Sequence, residues 1–348
     1  MKRLQLGKIP IDVLEETVLK MTGRRSRRVL TGPRAGVDFA AVRVGDGHLI
    51  VSSDPITGIS SGVGRYAVEV SANDVATSGN APQFMESVIL MREGATSQTL
   101  RSIAAEMDEA AKKLGVAFVG GHTEVTPRLD RPIIMITAFC YAREFVSSEM
   151  ARDGDAILMT KTAGHEGTAA LVREAQRMKI RLPAELSAKA ASLESGLSIV
   201  PEAVAAFRTR KIHAMHDCTE GGVVGAVYEM SLASGLGCVL EEGAVPVAAT
   251  TRAVCERFSV DPLRLIGSGA LLIAVPDDEA AGVCKALGRV TKVTKIGRFT
   301  SGRRTILSRD GRETRLTAAP EDELWRALGR SRLPGHGLDR PGRRVPGP

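Results

Sequence analysis

Residues 36–54 read Gly-Val-Asp-Phe-Ala-Ala-Val-Arg-Val-Gly-Asp-Gly-His-Leu-Ile-Val-Ser-Ser-Asp. This stretch predicts two short strands, residues 38–44 and 48–52, because each is rich in aliphatic side chains and a glycine turn separates them. Asp38 opens the first strand, and Ser53-Asp54 follows the second. Ligand sites in α/β proteins collect at strand ends, so this stretch indicates a polar site at the edge of a sheet.

The combination of an acid with glycine or another polar group recurs later in the chain. Asn73-Asp74 lies near the end of a predicted helix, Gly120-Gly-His-Thr-Glu124 follows a buried strand, and Met215-His-Asp-Cys-Thr-Glu-Gly-Gly222 joins a strand to a helix. Glycine lets backbone N–H groups approach phosphate oxygens, and carboxylates hold the divalent cations that neutralise them. Because Mg²⁺ takes only one or two protein carboxylates per ion, the separated acids indicate several ions, or one ion and a positioning role.

Hydrophobic periodicity predicts alternating helices and strands along the chain. A polar turn, Ala151-Arg-Asp-Gly-Asp155, precedes a new strand and predicts a domain boundary there. We therefore expect two domains, residues 1–150 and 151–320, and a disordered basic tail rich in glycine and proline over residues 329–348. The predicted helices are 11–21, 66–77, 98–114, 167–178, further helices up to 207, and 221–232; the remaining strands are 86–92, 116–119, 133–141, 156–160, near 212, 238–240, 270–275 and 292–296.

The basic charge of the chain is confined to two segments. The formal net charge is +7, but residues 329–348 carry a net +4 and the arginines of residues 24–28 carry another +4, so the remainder is almost neutral. Aromatic residues make up 3% of the chain, which leaves few of the stacking platforms that single-strand nucleic-acid binders use. These features argue against nucleic acid as the partner of the globular part, although a tail-mediated binder stays as an alternative.

The sequence also predicts a cytoplasmic protein without a membrane segment. The longest apolar run, about residues 132–142, is shorter than the roughly 18–20 residues that a membrane helix needs. The first ten residues form no apolar signal segment, and the five cysteines are scattered and contain no C-x-x-C motif. Such cysteine usage is typical of a reducing compartment.

Several other motifs give only weak indications of function. The sequence contains no G-x-x-x-x-G-K-[ST] motif, and Gly62-Val-Gly-Arg-Tyr-Ala67 lacks the preceding strand of a dinucleotide site. His213, His216, Asp217 and Cys218 suggest zinc by composition, but residues three apart on a strand point to opposite faces, so the two imidazoles diverge and a transition-metal site is disfavoured. Cys218 is interpreted as a buried inert thiol. The turn Lys161-Thr-Ala-Gly-His-Glu-Gly-Thr168 is equally compatible with an anion site and with an ordinary strand–helix connection.

Taken in order, the motifs resemble the aminoimidazole-ribonucleotide synthetase-like (PurM-like) ATP-binding superfamily over residues 5–320. The sequence as a whole, including Leu6-Gly-Lys-Ile-Pro10, is most similar to the HypE-like branch of hydrogenase-maturation proteins. The resemblance implies an α+β fold with an N-terminal dimerising α/β domain and a C-terminal α/β domain. The motifs that carry it are Gly36-Val-Asp-Phe-Ala-Ala-Val42, Ser53-Asp54, Asn73-Asp74-Val75, Gly120-Gly-His-Thr-Glu124, Met215-His-Asp-Cys-Thr-Glu-Gly-Gly222 and Asp261-Pro-Leu-Arg-Leu-Ile-Gly-Ser-Gly269.

The resemblance also implies ATP and Mg²⁺ as cofactors, with an acceptor oxygen attacking ATP. The acceptor is a small molecule or is delivered by a maturation partner protein, and a homodimer is expected. No catalytic residue is assigned by name. The residues that resemble magnesium ligands are Asp38, Asp54, Asp74 and Asp217. Those that resemble nucleotide- or phosphate-binding groups are Asp38, Asn73, Gly120, Gly121, His122, Thr123, Asp217 and Thr219.

The sequence departs from the family pattern at three points. His122 stands where the kinase branch has an aspartate, and Glu220 replaces the arginine typical of HypE. A C-terminal cysteine of the kind that carries the thiocarboxamide in HypE is absent from the sequence given. Two alternatives to a HypE-like enzyme therefore stay open: a nucleotide-binding partner protein without turnover, and a small-molecule kinase of the thiamine-monophosphate-kinase type.

Overall fold

Two β-sheets, one in each half of the chain, carry the architecture. The computed structural model describes residues 4, 7–57, 62–177 and 179–330. In the first half, the described strands form a six-stranded sheet in the order β1-β2-β3-β6-β4-β5, with every pairing antiparallel except β4–β5. Its elements are α1 (Ile11–Glu16), β1 (Val29–Thr31), β2 (Ala40–Val44), β3 (Gly47–Ile56), α2 (Val63–Ala76), β4 (Phe84–Arg92), α3 (Ser97–Leu114), β5 (Ala117–Thr126) and β6 (Ile133–Ala142).

The second half contains a seven-stranded sheet in the order β13-β12-β9-β11-β7-β10-β8, counted over the described residues. Only the β9–β12 pair is parallel. The elements are β7 (Ala156–Thr160), α4 (His165–Arg177), α5 (Ala184–Leu193), α6 (Val200–Arg208), β8 (Ala214–Asp217), α7 (Gly222–Ser234), β9 (Gly237–Glu241), α8 (Ala249–Phe258), β10 (Leu271–Val275), α9 (Ala280–Leu287), β11 (Val293–Thr300), β12 (Arg304–Leu307), β13 (Glu313–Arg315) and α10 (Glu323–Arg330).

Helix α2 lies where the two halves meet. It packs on β3 and β6 of the first sheet, and it also contacts α6 and β8 of the second half. Nearly every one of its residues is buried, since it has protein on both sides. One hydrophobic cluster therefore runs from Tyr66 and Ile136 in the first half to Leu197 and Ile273 in the second. The two sheets lie on either side of the domain boundary expected between residues 150 and 151. Because this hydrophobic cluster crosses that boundary, the division into two domains stays a prediction.

The predicted α+β class is confirmed, and most predicted elements appear within a few residues of their expected positions. Two strand ends were predicted wrongly. β3 continues to Ile56 because β6 pairs with it residue by residue, so Ser53 and Asp54 lie inside a strand and not after one. β5 continues through Gly120-Gly-His-Thr-Glu124 to Thr126, because it pairs in parallel with β4 along its length. That motif is an edge strand, and not the turn that was expected.

Helix α1, several short elements and the C-terminal tail also differ from the predictions or lie outside them. The predicted helix over residues 11–21 is α-helical only to Glu16. Three helices and the three short strands β1, β12 and β13 were not predicted. The tail predicted to be disordered lies outside the described residues, except for residues 329 and 330, which end α10. No helix in the described ranges is long and apolar enough to cross a membrane.

Candidate functional site

Four aspartates from both halves of the chain meet where the halves face each other. Asp38 precedes β2, Asp54 lies on β3, Asp74 lies in the last turn of α2, and Asp217 ends β8. The side chains of Asp54 and Asp74 share a hydrogen bond, and the charges of Asp38, Asp54 and Asp217 all act on Asp74. Asp217 is 1% exposed and Asp74 is 7% exposed. The structure thus brings together all four residues that were predicted to bind magnesium.

Local structure explains how these acids are positioned. Ser52 and Asp54 lie on the same face of β3, since side chains on a strand alternate with a period of two. The hydroxyl oxygen of Ser52 lies 2.7 Å from Asp74 Oδ2 and 2.8 Å from the carbonyl oxygen of Asp38, so its proton can be donated to either. One serine on β3 therefore links the loop that carries Asp38 to the end of α2.

The loop before Asp38 needs glycine at residue 36 to reach the second half of the chain. Gly36 has φ +79°, and a Cβ atom there would lie 2.2 Å from the carbonyl oxygen of Glu229 on α7. A side chain at this position is excluded by both the backbone conformation and the contact. Gly36 thus lets the loop pack directly on α7.

Burial and mutual repulsion raise the pKa values of two of the acids well above their usual range. For Asp74 the cause is first burial and then the charges of Asp54, Asp217 and Asp38. For Asp217 it is burial and then Asp38, opposed by His216. Oδ2 of Asp38 and Oδ2 of Asp217 are buried and accept no hydrogen bond from the protein. Buried carboxylate oxygens without a protein donor fit a divalent cation with oxygen ligands, as Mg²⁺ is.

A chain of charged groups that local sequence patterns do not indicate continues from the acids. His216 Nδ1 lies 2.5 Å from Asp38 Oδ1, and His216 Nε2 lies 3.4 Å from Glu229 Oε2. Lys8 Nζ lies 2.7 Å from Glu229 Oε1. Burial would lower the pKa of His216, but Asp38 and Glu229 outweigh it and raise the pKa to about 10. Burial would raise the pKa of Glu229, but Lys8 and His216 lower it to about 2.

One signal for this chain of charges was present in the sequence. His216 directly precedes Asp217, and both belong, with His213 and Cys218, to the zinc-like composition that the sequence disfavoured as a metal site. The two imidazoles diverge as predicted, since His213 Nδ1 lies 2.9 Å from Asp155 Oδ1. The contact between Lys8 and Glu229 joins residues 221 positions apart, for which the sequence carries no sign.

Asn73 lies apart from the acids. Its side-chain Nδ2 donates to the carbonyl oxygen of Leu197 at 2.8 Å, and its Oδ1 accepts from the N–H of Ile199 at 2.9 Å. The residue is completely buried. In this structure Asn73 therefore joins the two halves of the chain, and neither polar end of its side chain faces a nucleotide position at the acids.

Gly120, Gly121, His122 and Thr123 also lie apart from the acids within one chain. They belong to the edge strand β5 and are exposed. Asp54 pairs with Ile136, Ile136 with Ser87, and Ser87 with Gly121, which places Gly121 three strands away. At about 4.8 Å per strand, that separation is about 14 Å. By contrast, Thr219 stands near the acids, in the turn between Asp217 and α7.

The glycine turn at residues 161–168 begins with a lysine that is bound by groups of the protein itself. Lys161 Nζ donates to the carbonyl oxygens of Gly196 at 3.0 Å and Ser198 at 2.7 Å, and it forms an ion pair with Glu202. Burial, with neighbouring acids, raises the pKa of Glu166 in the first turn of α4 to about 7. The structure thus favours the ordinary strand–helix connection over the anion site.

Cys218 is a buried free thiol, as predicted. Burial, followed by the charges of Asp217 and Asp38, raises its pKa well above the usual range. The thiolate is the nucleophilic form of cysteine, so this thiol is inert at neutral pH.

The metal-free protein is expected to lose stability as pH rises from about 6.5 to 8.5. The pKa of His216, raised to about 10, means that the folded form keeps a proton which the unfolded chain releases as pH rises through about 6.5, so stability falls with rising pH. The lowered pKa of His165, about 4, acts in the opposite direction only below about pH 6.5. Urea unfolding in the presence of a chelator at three pH values measures the trend. A free energy of unfolding that rises with pH would contradict it.

Comparison with known proteins finds a family match in each half of the chain. Residues 36–142 match the family described as AIR synthase related protein, N-terminal domain, and residues 152–310 match its C-terminal domain. Carbamoyl dehydratase HypE of Escherichia coli is 31% identical over 239 residues, which cover 67% of this chain and 68% of that protein.

Two solved structures show the same fold. A HypE–HypF complex matches with a TM-score of 0.73 at 23% identity, covering 88% of this chain and 99% of the matched one. HypE in complex with ATP matches with a TM-score of 0.68 at 24% identity, covering 90% of this chain and 93% of the other. The likeness therefore extends across both halves of the chain.

Proposed function

The chain belongs to the AIR synthase related family, and from this premise we propose that it uses ATP and Mg²⁺ to phosphorylate an oxygen atom of a small-molecule or carbamoyl-type acceptor. The observation that carries the proposal is the convergence of Asp38, Asp54, Asp74 and Asp217 from both halves on one buried site. In the reaction, the acceptor oxygen forms a bond to the terminal phosphorus of ATP while the bond to the bridging oxygen breaks, which releases ADP. Divalent cations held by acidic side chains neutralise the charge of a phosphate chain during phosphoryl transfer.

The residues of the site have distinct roles. Asp38, Asp54, Asp74 and Asp217 would hold Mg²⁺, which when bound neutralises phosphate charge. Ser52 fixes the relative positions of the loop before β2 and the end of α2 through its two short contacts. Because Asp217 comes from the second half, the complete set of ligands depends on the packing of the two halves against each other. The protein thereby supplies position and charge, which are what phosphoryl transfer requires.

The position of the nucleotide follows from these assignments. HypE has been solved in complex with ATP, which supports the same nucleotide here. The phosphates belong at the aspartates, with Thr219 close by. Gly120–Thr123 lie about 14 Å away across the sheet. They would therefore contact the far end of the nucleotide, or they would contribute to the site of a second copy of the chain. Asn73 is not included, since its side chain joins the two halves.

A homodimer built on the first sheet forms part of the proposal. The face of this sheet that points away from α2 exposes Phe84, Met135 and Tyr141, which are 39–43% accessible. Adjacent exposed apolar side chains on one sheet face are typical of a covered surface. Light scattering should give twice the 36.9 kDa mass of the chain, and Met135→Glu should shift it towards a monomer. A monomeric wild-type chain at micromolar concentration would remove the dimer from the proposal.

The acceptor is proposed to be a carbamoyl-type group presented by a maturation partner protein, or a free small molecule. A HypE–HypF complex among the matching structures supports the partner-protein form. Among the described residues, the cysteines are free thiols, which supports action in the reducing cytoplasm.

Nucleotide turnover provides the test of the proposed function. Mg-ATP at a hundred times its dissociation constant should stabilise the protein by about 2.7 kcal/mol, which corresponds to a rise in melting temperature of about 4 °C. With a carbamoyl acceptor or a cell-extract pool, the enzyme should release ADP. Binding without any nucleotide product would instead indicate a nucleotide-binding partner protein, AMP would indicate a different reaction type, and no thermal shift would end the proposal.

A further inference from the structure

One group in the acid cluster offers nitrogen and not oxygen to a cation. We propose that Asp38, His216 and Asp217 bind a divalent transition-metal ion, for which Mn²⁺ is the probe, with His216 Nδ1 as a ligand. This proposal rests on the proposed function, because it names the class of cation that part of the same site selects.

The geometry brings three potential ligand atoms to one point. The candidate atoms of Asp38, His216 and Asp217 all lie within 4.8 Å of one another. His216 and Asp217 are 2% and 1% exposed, so the ligands are already desolvated. Oδ2 of Asp38, Oδ2 of Asp217 and both ring nitrogens of His216 make no hydrogen bond of good geometry. Two buried carboxylates and an imidazole with these unused positions form a ligand set, since buried polar atoms are otherwise paired.

The surroundings of His216 orient its ring for this role. A histidine that binds a metal usually donates its other N–H to a carboxylate, which fixes the ring and its tautomer. Here Glu229 Oε2 lies 3.4 Å from Nε2, on the side of the ring away from Asp38. Lys8 Nζ lies 2.7 Å from Glu229 Oε1 and neutralises the charge of that carboxylate. Lys8 and Glu229 therefore hold the ring with Nδ1 towards Asp38. A metal ion that binds there would replace the 2.5 Å contact between Nδ1 and Asp38 Oδ1 and displace the proton of Nδ1 to solvent.

The donor set determines the class of ion. Mg²⁺ binds oxygen ligands and water, whereas imidazole favours transition metals such as Mn²⁺, Co²⁺ and Zn²⁺. Asp54 and Asp74 are joined by their own hydrogen bond and offer only oxygen. The cluster is thus divided into an oxygen-only part suited to Mg²⁺ and a mixed part suited to a transition metal. The alternative is that His216 serves only as an ion-pair partner between Asp38 and Glu229.

Pulsed EPR on Mn²⁺ bound to the full-length protein without nucleotide distinguishes these two roles. Coordination by His216 should give ¹⁴N modulation of the Mn²⁺ signal, and Mn²⁺ should bind at least about tenfold more tightly than Mg²⁺ in competition. His216→Gln should abolish the nitrogen modulation and weaken Mn²⁺ binding by about 10–100-fold, with Mg²⁺ affinity changed by less than about twofold. His213→Gln is the matched control, because it removes an imidazole that pairs with Asp155 outside the cluster, and it should leave both signals intact.

Glu229→Gln provides a second variant that keeps His216 in place. It should retain the nitrogen modulation while weakening Mn²⁺ binding by about tenfold, since the glutamine holds the ring less firmly. Mn²⁺ bound without nitrogen modulation, or equal loss of Mn²⁺ and Mg²⁺ affinity in His216→Gln, would overturn the proposal in favour of the ion-pair role. Because the experiment contains no nucleotide, its failure leaves the thermal shift with Mg-ATP as an independent measure of the proposed function.

Discussion

Asp54→Asn should lower the rate of ATP turnover by about a thousandfold and abolish the thermal stabilisation by Mg-ATP. Asparagine keeps the shape of the side chain but removes one of the four charges that meet in the site. Phosphoryl transfer depends on charge neutralisation and positioning, so the loss of a cation ligand acts on both. Asp54 is half-buried on β3 and shares a hydrogen bond with Asp74, and asparagine can still make that bond.

The stability of the same variant makes the result interpretable. Removing one of several repelling carboxylates should leave the metal-free protein at least as stable as the wild type, so inactivity cannot be attributed to unfolding. Asp108→Asn is the matched control, because Asp108 is exposed on α3 and pairs only locally with Lys112 at 2.6 Å. It should keep turnover within about twofold of wild type, as surface ion pairs contribute little. Asp54→Asn with full turnover would exclude Asp54 as a cation ligand.

Asn73→Ala should destabilise the protein by about 2–4 kcal/mol, the largest loss of stability expected from a single polar side chain here. The change removes both hydrogen bonds between α2 and the backbone of residues 197–199. Leu197 and Ile199 are completely buried, so their carbonyl and N–H groups would be left without partners. Urea unfolding followed by circular dichroism measures the loss.

Two comparisons identify the role of Asn73. Asn80→Ala removes contacts to Ser78 and to the carbonyl of Glu144 at the surface, and it should cost less than about 1 kcal/mol. Mg-ATP affinity of Asn73→Ala, measured at a temperature where the variant is folded, should change far less than its stability. Unchanged stability together with a large loss of Mg-ATP affinity would restore the nucleotide-binding role that the sequence indicated.

The sequence was sufficient for the fold class and for the acids, because both depend on local patterns. Alternating or periodic apolar residues mark each main strand and helix, and Asp38, Asp74 and Asp217 stand where such elements begin or end, although Asp54 lies inside β3. Four acids at such positions in an α+β protein converge because the elements that carry them pack at one junction.

Other features depended on pairing between distant segments and could not be predicted from local patterns. β3 extends past Ser52 only because β6 is long enough to pair with Asp54, and β5 continues through two glycines because β4 supports it. Asn73 was expected to join Asp74 in the site, but successive residues on a helix point about 100° apart. Lys8 and Glu229 gave no local signal, because their contact depends on the docking of the N-terminal segment against α7.

The division of the acids between two halves of the chain has a consequence for the lifetime of the protein in a cell. Without cations, Asp217 and the aspartates of the first half repel each other across the junction that Asn73 holds together. Ligands that bind only the folded form shift the balance away from unfolded forms, which are the ones that proteases cleave. We therefore expect degradation of this protein to slow when metal ion and nucleotide are abundant, so that its steady-state level follows the supply of its own ligands.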